Sequence, residues 1–143
     1  MTVLFEPPPG RQVFRLAFEP TAADIDENGH VNNVVYLDWA QQLATAHWRA
    51  KAPAEAQAEW AWIALRHEVD YRRALLLGET AHARTWVSET AEGPRFDRYV
   101  RIDAGDGARG LTMCAQCVTT WVLIEQASRK PRRVPDWIPA MFT

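Results

Sequence analysis

Between Asp24 and Asn33 the chain reads DIDENGHVNN, bringing carboxylates (Asp24 and Asp26 among them), amides (Asn28, Asn32, Asn33) and an imidazole (His30) into ten consecutive residues. An apolar helical pattern begins immediately afterwards. A carboxylate in a tight loop just ahead of a helix can sit beside the helix N-terminus, where unpaired N–H groups attract negative charge. The same N–H groups can hold a developing oxyanion. The segment thus offers a carboxylate, Asp24 or Asp26, beside a helix start able to polarise an electrophile. The same residue types also stabilise turns through Asx hydrogen bonds and caps, which is their commoner use.

The elements flanking this loop are legible from periodicity. In Gln12 to Phe18, Phe14, Leu16 and Phe18 are apolar at every second position, a strand pattern, and Pro20 stops it. From Val34 the period changes: Tyr36, Trp39, Ala40, Leu43, His47 and Ala50 recur at three- and four-residue steps along one helical face. Asn32 or Asn33 is the natural N-cap, and the helix should end before Pro53. Ala54 to Glu59 is expected to form a short turn or helix.

Four further strands are predicted over Trp60 to Tyr71, Glu79 to Glu89, Arg95 to Asp103 and Leu111 to Ile124. They are separated at Leu77-Gly78, Glu92-Gly93-Pro94 and Gly105-Asp106-Gly107. Strict alternation puts Ile63, Leu65, His67, Val69 and Tyr71 on one face of the second strand. The order of strand, polar loop, long helix and four strands fits an α+β class in which a five-stranded antiparallel sheet packs on one helix.

Composition narrows the partners. At 143 residues, positions 1–143 fit one domain able to bury a core without disulfides. With 16 Lys plus Arg against 18 Asp plus Glu, no global field favours nucleic acid or an acidic membrane surface. No apolar run is long enough for a membrane-spanning helix. Cys114 and Cys117 are too close for a disulfide framework, and no basic leader precedes a long apolar run, so a reduced cytoplasmic setting is expected.

The segment DIDENGHVNNVVYLDW resembles the loop-and-helix signature of the hotdog thioesterase superfamily. The likeness is to 4-hydroxybenzoyl-CoA and YbgC-type thioesterases, and the HVNN run is similar to that of plant acyl-ACP thioesterases. The motif covers about a tenth of the chain, while the order of elements extends the resemblance over most of it. What it implies is a sheet wrapped around one central helix, and hydrolysis of an acyl-CoA thioester to a carboxylic acid and CoA.

By the same resemblance Asp26 matches the carboxylate acting as base or nucleophile, and Asn28 and His30 match polar partners of the plant enzymes. The backbone N–H near Asn33 would serve as oxyanion donor, with Asn32 and Tyr36 at the substrate. A thiolate leaves readily because its parent thiol has a pKa of only about 8.5. No metal or redox cofactor is implied, and the functional unit would be a homodimer or homotetramer. Two other readings are an acyl-ACP thioesterase and a non-catalytic acyl-thioester-binding hotdog protein. The second is kept open by Gln41 and Gln42, where many relatives carry an acid.

Other features carry less. Cys114 and Cys117 have C-x-x-C spacing but fall in a predicted strand, where an odd offset places them on opposite faces. Arg129-Lys130-Pro131-Arg132-Arg133, and separately Arg72 and Arg73, are candidate phosphate partners, although short charge runs are more often solvated. Trp39, Trp60, Trp62 and Trp86 are large enough to shape an acyl tunnel, although aromatics mostly fill cores.

Overall fold

In the computed structural model, which describes residues 4–105 and 110–143, the long helix lies across a twisted antiparallel sheet. In chain order the elements are β1 (Phe14–Phe18), α1 (Asn33–Lys51), α2 (Ala54–Glu59), β2 (Trp60–Tyr71), β3 (Ala81–Val87), β4 (Arg95–Ala104), β5 (Thr112–Glu125) and α3 (Trp137–Met141). The strands pair in the order β1-β3-β4-β5-β2, so the two strands adjoining α1 and α2 in sequence form opposite edges. The break expected at Gly105-Asp106-Gly107 falls mostly outside the described residues.

Helix α1 forms where its pattern predicts. Tyr36, Trp39, Ala40, Leu43, Ala44 and His47 are its buried residues, a stripe at three- and four-residue spacing. Tyr36 to Leu43 pack with Ala81 and Ala83 of β3, Val100 and Ile102 of β4, and Ala115 and Cys117 of β5. Small side chains on β3 let the sheet approach the large ones on the helix. Ala50, expected on this face, is exposed. Lys51 is its last residue, and Ala52 turns the chain into extended geometry ahead of Pro53.

Two irregularities change which side chains meet the helix. Along β2 the pairing with β5 shifts between Ala64 and Arg66, leaving Leu65 as the extra residue of a bulge. Trp62 pairs Leu123 and Ala64 pairs Trp121, whereas His67 pairs Thr119, Val69 pairs Cys117 and Tyr71 pairs Ala115. Trp60, Trp62, His67, Val69 and Tyr71 therefore share the inner face, and Ile63 joins the outer one. This corrects the strict alternation expected for β2: Ile63 and Leu65 are 50% and 54% exposed.

A second shift, between Ile102 and Asp103, skips Cys114 on β5. That extra residue places Cys114 in the same buried cluster as Cys117, not on the opposite face. Both thiols are free, and burial pushes both above the ordinary thiol pKa, so they remain protonated core side chains.

Both ends of the sheet are covered. On the outer face the N-terminal lead-in lies over β4 and β5: Phe5 N–H donates to Gln116 Oε1 at 2.8 Å, and its ring meets Tyr99 edge-on at 5.3 Å. At the C-terminal end of α1 a second cluster forms from Val87, Phe96, Leu123, Val134, Ile138 and Phe142, sealed by α3. The basic run 129–133 turns back on β5 through a bridge from Pro131 to Ile124, with Arg132 facing Glu125 at 3.6 Å.

Candidate active site at the start of the central helix

The loop before α1 is built by its own polar residues. Thr21 N–H and Oγ1 both donate to Asp24 Oδ2, at 2.8 and 3.2 Å, in a capping box around a single helical turn at 22–24. Asp24 is thereby occupied with structure. A bridge between Ile25 and Val31 then closes a tight turn whose tip is Gly29, at φ +77°. That left-handed conformation is open to glycine at little cost.

Asp26 sits inside this turn. Its Oδ1 accepts from the N–H groups of Asn28 (2.9 Å) and His30 (3.2 Å), and its own N–H donates to the His30 carbonyl at 2.8 Å. The second carboxylate oxygen, Oδ2, has no partner among the described residues. The carboxylate is thus oriented by one oxygen and available through the other. The side chains of Asn28 and His30 are exposed at the rim.

The helix start follows directly. Asn32 is the N-cap, its Oδ1 accepting from Val34 N–H at 3.1 Å and its carbonyl from Val35 N–H at 2.9 Å. Of the first three helical N–H groups, that of Asn33 alone finds no acceptor among the described residues. It stands at the positive end of a nineteen-residue helix, the position that favours an anion or a polarised carbonyl.

The link between β2 and β3 supplies the opposite wall. Val31 N–H donates to the Leu75 carbonyl at 2.8 Å, and Leu75 N–H donates to the Tyr36 hydroxyl oxygen at 3.2 Å. Tyr71 donates its hydroxyl to the Asn33 carbonyl at 2.9 Å. Burial is the main cause that raises the Tyr36 phenol to about 12, outweighing the Leu75 hydrogen bond that lowers it. With its oxygen already accepting, Tyr36 offers its proton as a donor.

Asp26, Asn28, His30, Asn32, Asn33 and Tyr36 all line one cleft of about 410 Å³. The motif pointed to every one of them. Tyr71, Arg72, Arg73 and Ala74 line the same cleft, and of these only the arginines are functional candidates from the sequence, as phosphate partners. Arg73 is committed elsewhere: it pairs with Glu79 at 2.5 Å and reaches Cys114 Sγ at 3.3 Å. Arg72 is exposed, and its side chain has no partner among the described residues. Gln41 and Gln42 are exposed and do not line the cleft; Gln42 bonds back to Asp38 at 2.7 Å.

Among the four tryptophans considered for a tunnel, Trp39 is core and Trp86 stacks on Tyr99 at 6.1 Å. Trp60 and Trp62 line a different cavity, at the other end of α1. Among the described residues no cluster of His, Cys, Asp or Glu could hold a metal ion, and no helix is long and apolar enough to cross a membrane.

A helix-wrapping antiparallel sheet with an acidic loop at the helix start defines the hotdog class. The model of the thioesterase-like superfamily matches residues 20–142, and the chain belongs to that superfamily. A predicted thioesterase from Bacillus stearothermophilus is similar over 91% of this chain and 93% of its own, at 20% identity and a TM-score of 0.77. A thioesterase from Thermus thermophilus, solved with coenzyme A and Zn, is 21% identical over 94% of each chain, with a TM-score of 0.77. A 4-hydroxybenzoyl-CoA thioesterase mutant complexed with 4-hydroxybenzoyl-CoA is only 8% identical but reaches 0.81, covering 92% of this chain and 99% of its own. At these identities the likeness is one of fold. No curated protein sequence matches the chain.

Proposed function

We propose that the protein hydrolyses an acyl-CoA thioester to a carboxylic acid and CoA, with Asp26 as the essential carboxylate. The observation that carries this reading is that one cleft is lined both by Asp26, whose carboxylate is committed through one oxygen, and by Asn33, whose N–H has no acceptor among the described residues. The thioester carbonyl oxygen accepts from the Asn33 N–H, so charge developing on it is met by a fixed dipole. Asp26 Oδ2 either takes a proton from the attacking water or attacks the carbonyl carbon itself. In both routes the carbon–sulfur bond breaks, the thiolate leaves with that electron pair, and water supplies the hydroxyl of the product acid and the proton of the thiol.

Asn28 and His30 are assigned to the rim as polar contacts, and Asn32 and Tyr36 to the acyl-thioester group, Tyr36 as a neutral donor. Arg72, exposed and lining the cleft, is assigned to a phosphate of the carrier. A homodimer or homotetramer is the inferred functional unit. The outer edge of β2 has no strand partner among the described residues, and Ile63 and Leu65 are exposed along that strand. Two free buried cysteines suit a reducing, cytoplasmic compartment.

The test is thiol release from a panel of acyl-CoA and acyl-ACP substrates by the wild type and Asp26→Asn. The expected result is turnover of acyl-CoA, reduced about a hundredfold or more in the variant. Preferential turnover of acyl-ACP would change the carrier and keep the chemistry. Tight acyl-CoA binding without product would mark a binding protein instead, and undiminished turnover in the variant would remove Asp26 from the mechanism.

A further inference from the structure

A second cavity lies at the far end of α1. Its volume is about 300 Å³, and its aromatic walls are Trp48, Trp60, Trp62, Phe96, Trp121 and Phe142. That is the small end of the range for ligand pockets, roughly 300–1,000 Å³. Two arginines, Arg49 and Arg98, line it, and no aspartate or glutamate does. Thr45, Trp48 and Arg49 approach it from the helix, twelve or more residues beyond Asn33, which at 1.5 Å per residue is roughly 18 Å along the axis. The cavity is thus distinct from the Asp26 cleft.

Arg98 is an unusual wall residue because it is 7% exposed and has no carboxylate partner among the described residues. Its Nη1 donates to His47 Nδ1 at 2.9 Å and to Thr85 Oγ1 at 3.0 Å, and the guanidinium lies 5.5 Å over the Phe142 ring. Arginine has no acceptor, so His47 Nδ1 must accept, and its Nε2–H then donates to Gln12 Oε1 at 3.2 Å. His47 is neutral: burial first, then Arg98 and Lys51, lower it to about 3. It orients the arginine without compensating its charge.

The rest of the guanidinium fork makes no hydrogen bond among the described residues. Trp121 Nε1, in the same wall, is a buried donor without an acceptor among the described residues. A buried cation is strongly disfavoured unless a counter-ion meets it, and aromatic walls make any such pairing stronger than it would be in water. The planar fork matches a carboxylate, and tryptophan faces match an apolar or aromatic body.

We propose that this cavity is a binding site for a small monocarboxylate with an aromatic or apolar body, its carboxylate held by Arg98 and its body between the tryptophans. The site is independent of thioester chemistry at Asp26. It needs neither that reaction nor the product of that reaction.

The experiment is calorimetric titration of the full-length protein with phenylacetate and with its neutral analogue phenylacetamide. The wild type should bind the acid about tenfold or more tightly than the amide, and Arg98→Gln should bring the two affinities together. Thr45→Trp, a change at an exposed helix position lining the cavity, should weaken the acid by about tenfold with the fold intact by circular dichroism. Asp26→Asn should leave acid binding unchanged. The proposal is overturned if the wild type binds neither compound or both equally, if Thr45→Trp binds as well as wild type, or if Asp26→Asn abolishes binding. Should Arg98→Gln fail to fold, the acid–amide comparison and Thr45→Trp decide the matter.

Discussion

The hydroxyl of Tyr71, the last residue of β2, donates to the carbonyl of Asn33, the first residue of α1, across 2.9 Å. This contact ties the edge strand of the sheet to the helix turn that lines the cleft. Tyr71→Phe removes the tie and little else, since the Asn33 carbonyl keeps its place in the helix. Displacements on the order of an ångström at a reacting group cost up to about a hundredfold in rate. We expect kcat/KM for thioester hydrolysis to fall about tenfold, with a stability loss of about 1 kcal/mol, readable by steady-state kinetics and urea unfolding.

Asp26 has a structural role that can be separated from the chemical one proposed for it. Asparagine retains the oxygen that accepts from Asn28 and His30 but has no carboxylate; alanine has neither. Both variants should lose activity to a similar extent. Only Asp26→Ala should also lose stability, by about 1–2 kcal/mol, because two loop N–H groups lose their acceptor. Equal melting temperatures for the two variants would contradict the role given to Oδ1.

Asn32→Ala removes the acceptor for Val34 N–H. A lost N-cap costs about 1 kcal/mol, which for a domain of this size lowers Tm by about 4 °C. The first turn of α1 also carries the Asn33 N–H, so activity should fall before the protein unfolds. Hydrogen exchange at Val34 and Val35 should quicken in the variant.

The neutral His47 gives stability a defined pH dependence. Its native pKa is about 3 against an ordinary 6.5, so below pH 6.5 the unfolded chain takes up a proton that the native state refuses. The contribution is fully present above pH 6.5 and is lost as the pH falls towards about 3. A single such group gives a limiting slope of about 1.4 kcal/mol per pH unit. The part belonging to this residue is a loss of about 2 kcal/mol in unfolding free energy between pH 7 and pH 5, approaching the limiting slope only near pH 5, and His47→Gln should remove it.

The loop, the helix and the five strands were legible because their signals are local. Asp26, Asn28, His30, Asn32, Asn33 and Tyr36 span eleven residues, and hydrogen bonds within the segment bring most of them together. Tyr71, by contrast, reaches Asn33 from 38 residues away, and no periodicity encodes that meeting. The bulge at Leu65 was hidden for a related reason: extra residues in a strand depend on the partner strand. Cys114 joined Cys117 in the core through the same kind of irregularity on β5. Nothing in the local sequence marks Arg98 as buried, since its cover comes from His47 of α1 and from Phe142 just after α3. The short α3 went unrecognised because Pro135 and Pro139 bracket Trp137 and Ile138 and mask the helical period.

One residue, Leu65, acts as a phase corrector for the whole of β2. Trp60 and Trp62 before it serve the aromatic cavity, and Tyr71 after it serves the Asp26 cleft, both on the inner face of one strand. An insertion or deletion of a single residue between Trp62 and Tyr71 would turn one set of side chains outward while leaving the other in place. Such a lesion would abolish the contents of one cavity and spare the other, so the two ends of the helix share a reading frame written in strand geometry.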